Sequence, residues 1–176
     1  VSGFIGIDLS LTATGLASFQ DGVWDTATVR TKADDGSETA YIERVRGIAA
    51  KIIAWSDPHD GDVWAIEGPS FGAKGAAVDR MFGAFHLVMA ALIDHHGEPI
   101  IVPPTSIKKY ATGKGNAGKD EVMLAVSRRY PDAPIHNNDE SDAVTIAAMI
   151  ARFYGHPIED SMPQVNLEAL TKLRRA

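Results

Sequence analysis

The chain opens on an apolar run that ends in an acid, Phe4-Ile5-Gly6-Ile7 followed by Asp8. No polar alternation interrupts the run, so it reads as a strand covered on both faces. Such a strand belongs at the centre of a sheet with layers above and below it. The next residues set its first neighbours. Thr14 to Phe19 and Val23 to Val29 are two further strand candidates, separated by Gln20-Asp21-Gly22. Asp-Gly suits the positive φ angles of a two-residue hairpin, so the chain starts as a three-stranded antiparallel meander.

After a polar loop from Lys32 to Ser37 the apolar period changes. Thr39 to Trp55 places Ile42, Val45, Ile48 and Ile52 on one helical stripe, and Asp57-Pro58 ends it because a residue before proline disfavours helical backbone. Val63 to Ile66 is a second buried strand leading into Glu67. Ala76 to His95 is a long helix with an apolar face of Val78, Met81, Phe82, Phe85, Val88, Met89 and Leu92, stopped by Gly97. This is more apolar surface than one face needs. Core burial is the default, and Met81, Phe85 and Met89 are candidates for a dimer surface. Pro99 to Val102 is a short strand closed by Pro103-Pro104, and Lys114 to Gly118 is a glycine-rich loop. Helices follow over Lys119 to Tyr130 and Asp139 to Tyr154. A meander followed by alternating elements predicts an α/β fold with one mixed five-stranded sheet and helices on its faces. The expected organisation is one domain over 1–156 and a polar tail over 157–176, with a short helix from Asn166 to Arg175.

Composition narrows the function. With 176 residues the chain suits one domain and one sizeable core. It contains no cysteine, which removes disulfides and thiolate metal sites. The longest apolar run, around Phe85 to Ile93, is far below the roughly 20 residues of a membrane span. Val1-Ser2-Gly3-Phe4 shows no signal-peptide pattern, so a cytoplasmic protein with no membrane association is expected. The formal net charge of −6 argues against a generic nucleic-acid coat. Its distribution is uneven, however: Lys108, Lys109, Lys114, Lys119, Arg128 and Arg129 face only Asp120 and Glu121 between Pro104 and Tyr130. That segment is either a solvated face or a surface for phosphates.

Four acids stand where packing alone would not put them. Asp8 ends one apolar strand and Glu67 another, at the carboxyl edge where ligands of α/β sheets gather. Asp8 could instead start the turn towards Thr14, and Glu67 could simply reach solvent. Asp139 and Asp142 lie three apart, on one helix face. Asp139 is a natural N-cap and Asp142 could answer the helix dipole, yet Asp142 also continues the apolar stripe of Ile146, Met149, Ile150 and Phe153. Taken together, the acids suit hard divalent cations, which take oxygen ligands. Two such ions can drive in-line phosphodiester displacement. Zinc fits poorly, since none of the six histidines forms a two-His helical motif.

The segments that carry these acids resemble a known family. Gly6-Ile7-Asp8-Leu9-Ser10-Leu11-Thr12-Ala13-Thr14-Gly15, then Ala65-Ile66-Glu67, then Asp139-Glu140-Ser141-Asp142-Ala143 are similar to the catalytic segments of RuvC-type Holliday junction resolvases. Pro104-Thr105-Ser106-Ile107-Lys108-Lys109 and Gly113 to Lys119 resemble that family's lysine-bearing stretch, and the similarity runs from about Ile5 to Phe153. The resemblance implies an RNase H-like fold, a homodimer, and paired nicks at four-way DNA junctions. It implies Mg2+, two ions with Mn2+ as a substitute, held by Asp8, Glu67, Asp139 and Asp142. Lys119, and after it Lys109, would contact the scissile phosphate. Phe71 would either stack on junction bases or be a core residue, and Arg80, Lys108, Lys109 and Lys114 would bind DNA. The polar tail and acidic balance depart from cellular members and are more like a phage-encoded relative, so the host compartment would be a bacterial or phage-infected cytoplasm. Three other readings are a nuclease for other branched DNA or RNA–DNA hybrids, a non-catalytic DNA-binding domain, and a fragment of the actin-like ATPases, which share the Gly-Ile-Asp loop.

Overall fold

The structure, a computed structural model, describes residues 3–57, 59, 61–69 and 76–174. Strands β1 (Gly3–Asp8), β2 (Ala13–Gln20) and β3 (Val23–Arg30) form the meander. Asp21 and Gly22 both take positive φ, 51° and 81°, at its second turn. Helix α1 (Glu38–Ser56) leads to β4 (Val63–Glu67), and α2 (Ala76–His96) leads to β5 (Ile100–Val102). The sheet order is β3-β2-β1-β4-β5. Pairing is antiparallel within the meander and parallel for β1–β4 and β4–β5. The expected mixed sheet of a meander plus two parallel strands is the one found.

Side-chain alternation sorts the strands between two cores. Ile5, Ile7, Leu9, Leu16, Trp64 and Ile66 pack under α1 and α2. Phe4, Ala17, Ala65, Ile100 and Val102 pack on the other face, with α5 (Asn138–Phe153) and the helices beside it. Helix α5 departs from the single stripe expected of it, because every residue from Ala143 to Ala151 is buried. It is a central helix between the sheet and an outer layer. Burying Ile146, Met149 and Ile150 contributes about 1.5–3 kcal/mol each.

That outer layer contains an element the sequence reading missed. Pro103-Pro104 does not merely close β5; it starts helix α3 (Pro104–Thr112), with Pro103 as N-cap and Pro104 in the first turn. Proline suits that position because the lost N–H has no helical partner there. Helix α4 (Lys119–Arg129) follows the glycine-rich loop. The residues after Pro157 also pack. Short helix α6 (Gln164–Leu167) and a 3-10 turn over Glu168–Lys172 lie on α3. Ala169 and Leu173 join the core. Glu159 accepts hydrogen bonds from Tyr110, Tyr130 and Arg152, which ties this segment to α3, α4 and α5.

Candidate active site

Strand parity and register bring the first two acids together. Gly6 pairs with Ala65 and Ile7 with Ile66 across the parallel β1–β4 ladder. The next residues in that register are Asp8 and Glu67. Counting by twos from Gly6 and Ala65, both face α5. Their carboxyl groups lie close enough to act on each other's ionisation. The turn after Asp8 is held by hydroxyls and not by Asp8 itself. Thr14 Oγ1 donates to the Ser10 carbonyl at 2.7 Å and accepts from the Ser10 N–H at 3.2 Å. The reading of Asp8 as a turn initiator is thereby set aside.

Helix α5 delivers the other pair, and two bare glycines let it come close. A Cβ on Gly6 would lie 2.1 Å from the Ala143 carbonyl oxygen, and one on Gly15 would lie 2.0 Å from that of Asp139. Both distances are inside any real contact, so the helix rests directly on strand backbone. The sequence does carry a signal for this, since glycine within a strand often marks close backbone approach. The N-cap is Asn137, whose side chain accepts from the Glu140 N–H. Asp139, expected to cap the helix, lies in its first turn instead. A better cap two residues earlier frees it from that duty.

A cleft of about 350 Å³ opens over this edge. Asp8, Glu67 and Asp142 line it together with Lys108 and Lys119, and Leu9, Met81, Phe85 and Val122 supply apolar wall. Asp139 is near enough to raise the pKa of both Asp8 and Asp142 by its charge. Burial pushes the Asp142 carboxyl from its ordinary 3.8 up to about 7, the Asp8 charge adds to the rise, and Lys119 opposes it. Asp8, only 8% exposed, is raised well above its ordinary value by burial and then by Glu67. Glu67 is raised too, chiefly by burial.

Such a cleft calls for a cation. Three carboxylates withdrawn from water cannot all ionise without a compensating charge. Asp8 and Glu67 show the strain, since burial and the neighbouring acids push both carboxyls above their ordinary range. The donors are all oxygen, as a hard cation requires. Among the described residues no three acids or histidines already close into a ligand cage. Mg2+ does not need one, because it keeps several waters and takes one or two carboxylates along with substrate phosphate. The residues therefore fit it.

A pH dependence follows. These groups hold protons in the native state that they lose on unfolding, so stability of the metal-free protein should fall as pH rises from about 4 to above 7. The slope is about 1.4 kcal/mol per pH unit for each group that titrates differently. Thermal melts in a chelator should show the decline, and added Mg2+ should recover more stability at pH 8 than at pH 5. A flat melting profile across that range would contradict the geometry.

Only some of the other residues picked out in the sequence reach the cleft. Lys108 reaches the cleft, whereas Lys109 pairs with Glu168 of the C-terminal segment at 2.6 Å. Adjacent positions on a helix point about 100° apart, and α3 is the helix the sequence reading lacked. Lys114 pairs with Glu121. Arg80, expected at the DNA, instead bonds Asp34 and the Gly36 carbonyl and lies over the Tyr41 ring. Phe71 falls outside the described residues. Phe85 is a core residue, Met81 lines the cleft and Met89 packs against the core. The exposed large apolar residues of α2 are Leu87 and Ile93. One bracing residue went unnoticed: Arg44 donates to the Leu11 carbonyl, Thr31 and Asp34, fastening the loop after Asp8 to the loop after β3.

Comparison with known proteins identifies the family. Residues 4–150 match the family model "Crossover junction endodeoxyribonuclease RuvC". The chain belongs to the RuvC family. Crossover junction endodeoxyribonuclease RuvC of Synechococcus sp. (strain WH7803) is 29% identical over 152 residues, spanning 81% of this chain and 94% of that protein. RuvC of Paenarthrobacter aurescens (strain TC1) is 30% identical over 147 residues, spanning 81% and 77%. Among solved structures, Thermus thermophilus RuvC in complex with a Holliday junction substrate superposes with a TM-score of 0.65 at 22% identity, covering 89% of this chain and 96% of that one. The RuvC match ends within α5, so the segment after Phe153 that packs on α3 lies beyond the matched range. No helix among the described residues is long and apolar enough to cross a membrane.

Proposed function

We propose that this RuvC-family chain is a divalent-metal-dependent endonuclease that nicks four-way DNA junctions, working as a homodimer in the cytoplasm. The observation that carries the reading is the convergence of Asp8, Glu67 and Asp142 with Lys108 and Lys119 in one open cleft. Asp8, Glu67 and Asp142 would hold Mg2+ or Mn2+, with Asp139 beside them. A bound divalent cation supplies charge neutralisation and a water acidic enough to serve as nucleophile near neutral pH.

The chain's own residues supply the rest. The buried carboxylates keep a negative focus at the sheet edge. Lys119 and Lys108 place positive charge opposite it, where a phosphodiester gains charge as a new oxygen joins phosphorus. Fixed charges aimed at that point lower the barrier more than they aid ground-state binding. Leu9, Met81, Phe85 and Val122 line the cleft with apolar surface, which lowers the local dielectric and strengthens those interactions. For the homodimer, α2 offers Leu87 and Ile93 on its outer surface.

Cleavage of matched four-way, three-way, flap and linear duplex DNA in Mg2+ tests the reading. Preference for the four-way junction is expected, and equal cutting of all four substrates or of an RNA–DNA hybrid would redirect it. Lys119→Ala should slow single-turnover cleavage by about a hundredfold while changing junction affinity far less. An unchanged rate would return Lys119 to an ordinary surface role.

A further inference from the structure

Glu140 sits between Asp139 and Asp142 in sequence but serves neither the cleft nor solvent. It is 4% exposed. One carboxylate oxygen accepts the Thr28 hydroxyl at 2.6 Å. The other accepts the His136 backbone N–H at 2.7 Å and lies 3.0 Å from His136 Nδ1. Asn137 closes the circuit, its Nδ2 donating to Thr28 Oγ1 at 2.8 Å and its Oδ1 accepting the Glu140 N–H at 3.0 Å. A second tie runs alongside, from the Thr26 hydroxyl to the Pro134 carbonyl.

Sheet register gives this circuit its meaning. Thr28 pairs with Gly15, and Gly15 pairs with Asp8. The three form one row across β3, β2 and β1, and the first turn of α5 lies over that row. Glu140 grips its outer end at Thr28. The Asp139 backbone rests on Gly15 in the middle. Asp142, about 200° round the helix from Glu140, reaches the inner end, where its charge and that of Asp8 act on each other. Steric contact at Gly15 sets how near the helix comes but not its rotation about its own axis. The Glu140 bonds resist that rotation.

We infer that Glu140 is a positioning residue that holds α5 at the rotation placing Asp139 and Asp142 over Asp8, and so tunes the affinity of the site for its divalent cation. The inference rests on the metal-dependent reading above. Glu140→Gln keeps the size but removes the charge and one acceptor oxygen, so either the His136 N–H loses its partner or the Thr28 hydroxyl must stop donating to residue 140 and accept from it instead. In full-length protein, the Mg2+ concentration giving half-maximal thermal stabilisation should rise about tenfold or more, the scale seen when a group orienting a metal ligand is lost. Junction binding without metal should stay within twofold, and saturating Mg2+ should restore most of the cleavage rate. Thr28→Val removes one donor from the same circuit and should shift the Mg2+ midpoint less, in the same direction. If Glu140→Gln fails to fold, Thr28→Val decides alone. An unchanged midpoint in the folded variants overturns the inference, as does lost cleavage that saturating Mg2+ does not recover. Wild-type protein that Mg2+ neither stabilises nor activates would overturn the functional reading, and this inference with it, before any variant is compared.

Discussion

Asp8→Asn is expected to abolish cleavage while raising the melting temperature of the metal-free protein. The two effects have one cause. Asp8 is buried against Glu67 and within the field of Asp139, so its charge is held in place at the expense of folding. An asparagine amide can donate to Glu67 with no proton to be shared and removes one like charge from the cluster. In a chelator at pH 8 the variant should therefore melt higher than wild type. The same replacement exchanges a charged carboxylate donor for a neutral amide oxygen, which binds a hard divalent cation far less strongly. Single-turnover cleavage of a four-way junction in Mg2+ should fall by at least about a hundredfold, as when a group that stabilises transition-state charge is deleted. Mg2+ should no longer raise the melting temperature. A variant that cleaves within tenfold of wild type would remove Asp8 from the site, and one that melts lower in chelator would refute the repulsion argument.

Gly15→Ala should be strongly destabilising for the addition of a single methyl group. The new Cβ would fall 2.0 Å from the Asp139 carbonyl oxygen and 2.9 Å from the Glu140 nitrogen, both backbone atoms of α5 that no rotamer change can move aside. Either the helix lifts or the strand bends. Overpacking in a close-packed interior costs about 1–3 kcal/mol and more when backbone is struck. About 3 kcal/mol would lower the melting temperature of a domain this size by roughly 6–12 °C. The displaced helix end carries Asp139 and Asp142, so cleavage should fall by about a hundredfold even in molecules that remain folded, since a shift near 1 Å suffices for that. Gly6→Ala meets the Ala143 oxygen at 2.1 Å and should act similarly. Gly47→Ala is the control, because its Cβ would meet nothing within 4 Å on α1 and should stabilise the helix by about 0.5–1 kcal/mol. Comparable melts for Gly15→Ala and Gly47→Ala would show that α5 does not rest on the strand.

The contrast between these variants bears on how much of the site could be read from residues alone. Asp8 and Glu67 were legible because an acid at the end of an apolar strand contradicts its surroundings. Asp142 was legible because it continues an apolar stripe. Lys109 was preferred to Lys108 for the phosphate, whereas Lys108 is the one that lines the cleft, and choosing between them needs the helix that Pro103-Pro104 begins. Arg80 looked free because nothing local pairs with it. Its partner, Asp34, stands 46 positions earlier and reaches it only when the loop after β3 folds against the start of α2. Glu140 drew no reading of its own, because its partner Thr28 is 112 positions away.

The local pattern of the chain determined its meander, its central strands and the acids at their ends, because strand period, the Asp-Gly turn and the penalty on a buried charge all act within a few residues. The placement of α5 came from the tertiary structure alone. How close that helix comes depends on two glycines in other elements, and its rotation depends on a threonine across the sheet. Neither contact exists until distant parts of the chain are packed together, and the distance between Asp8 and Asp142 is set by both.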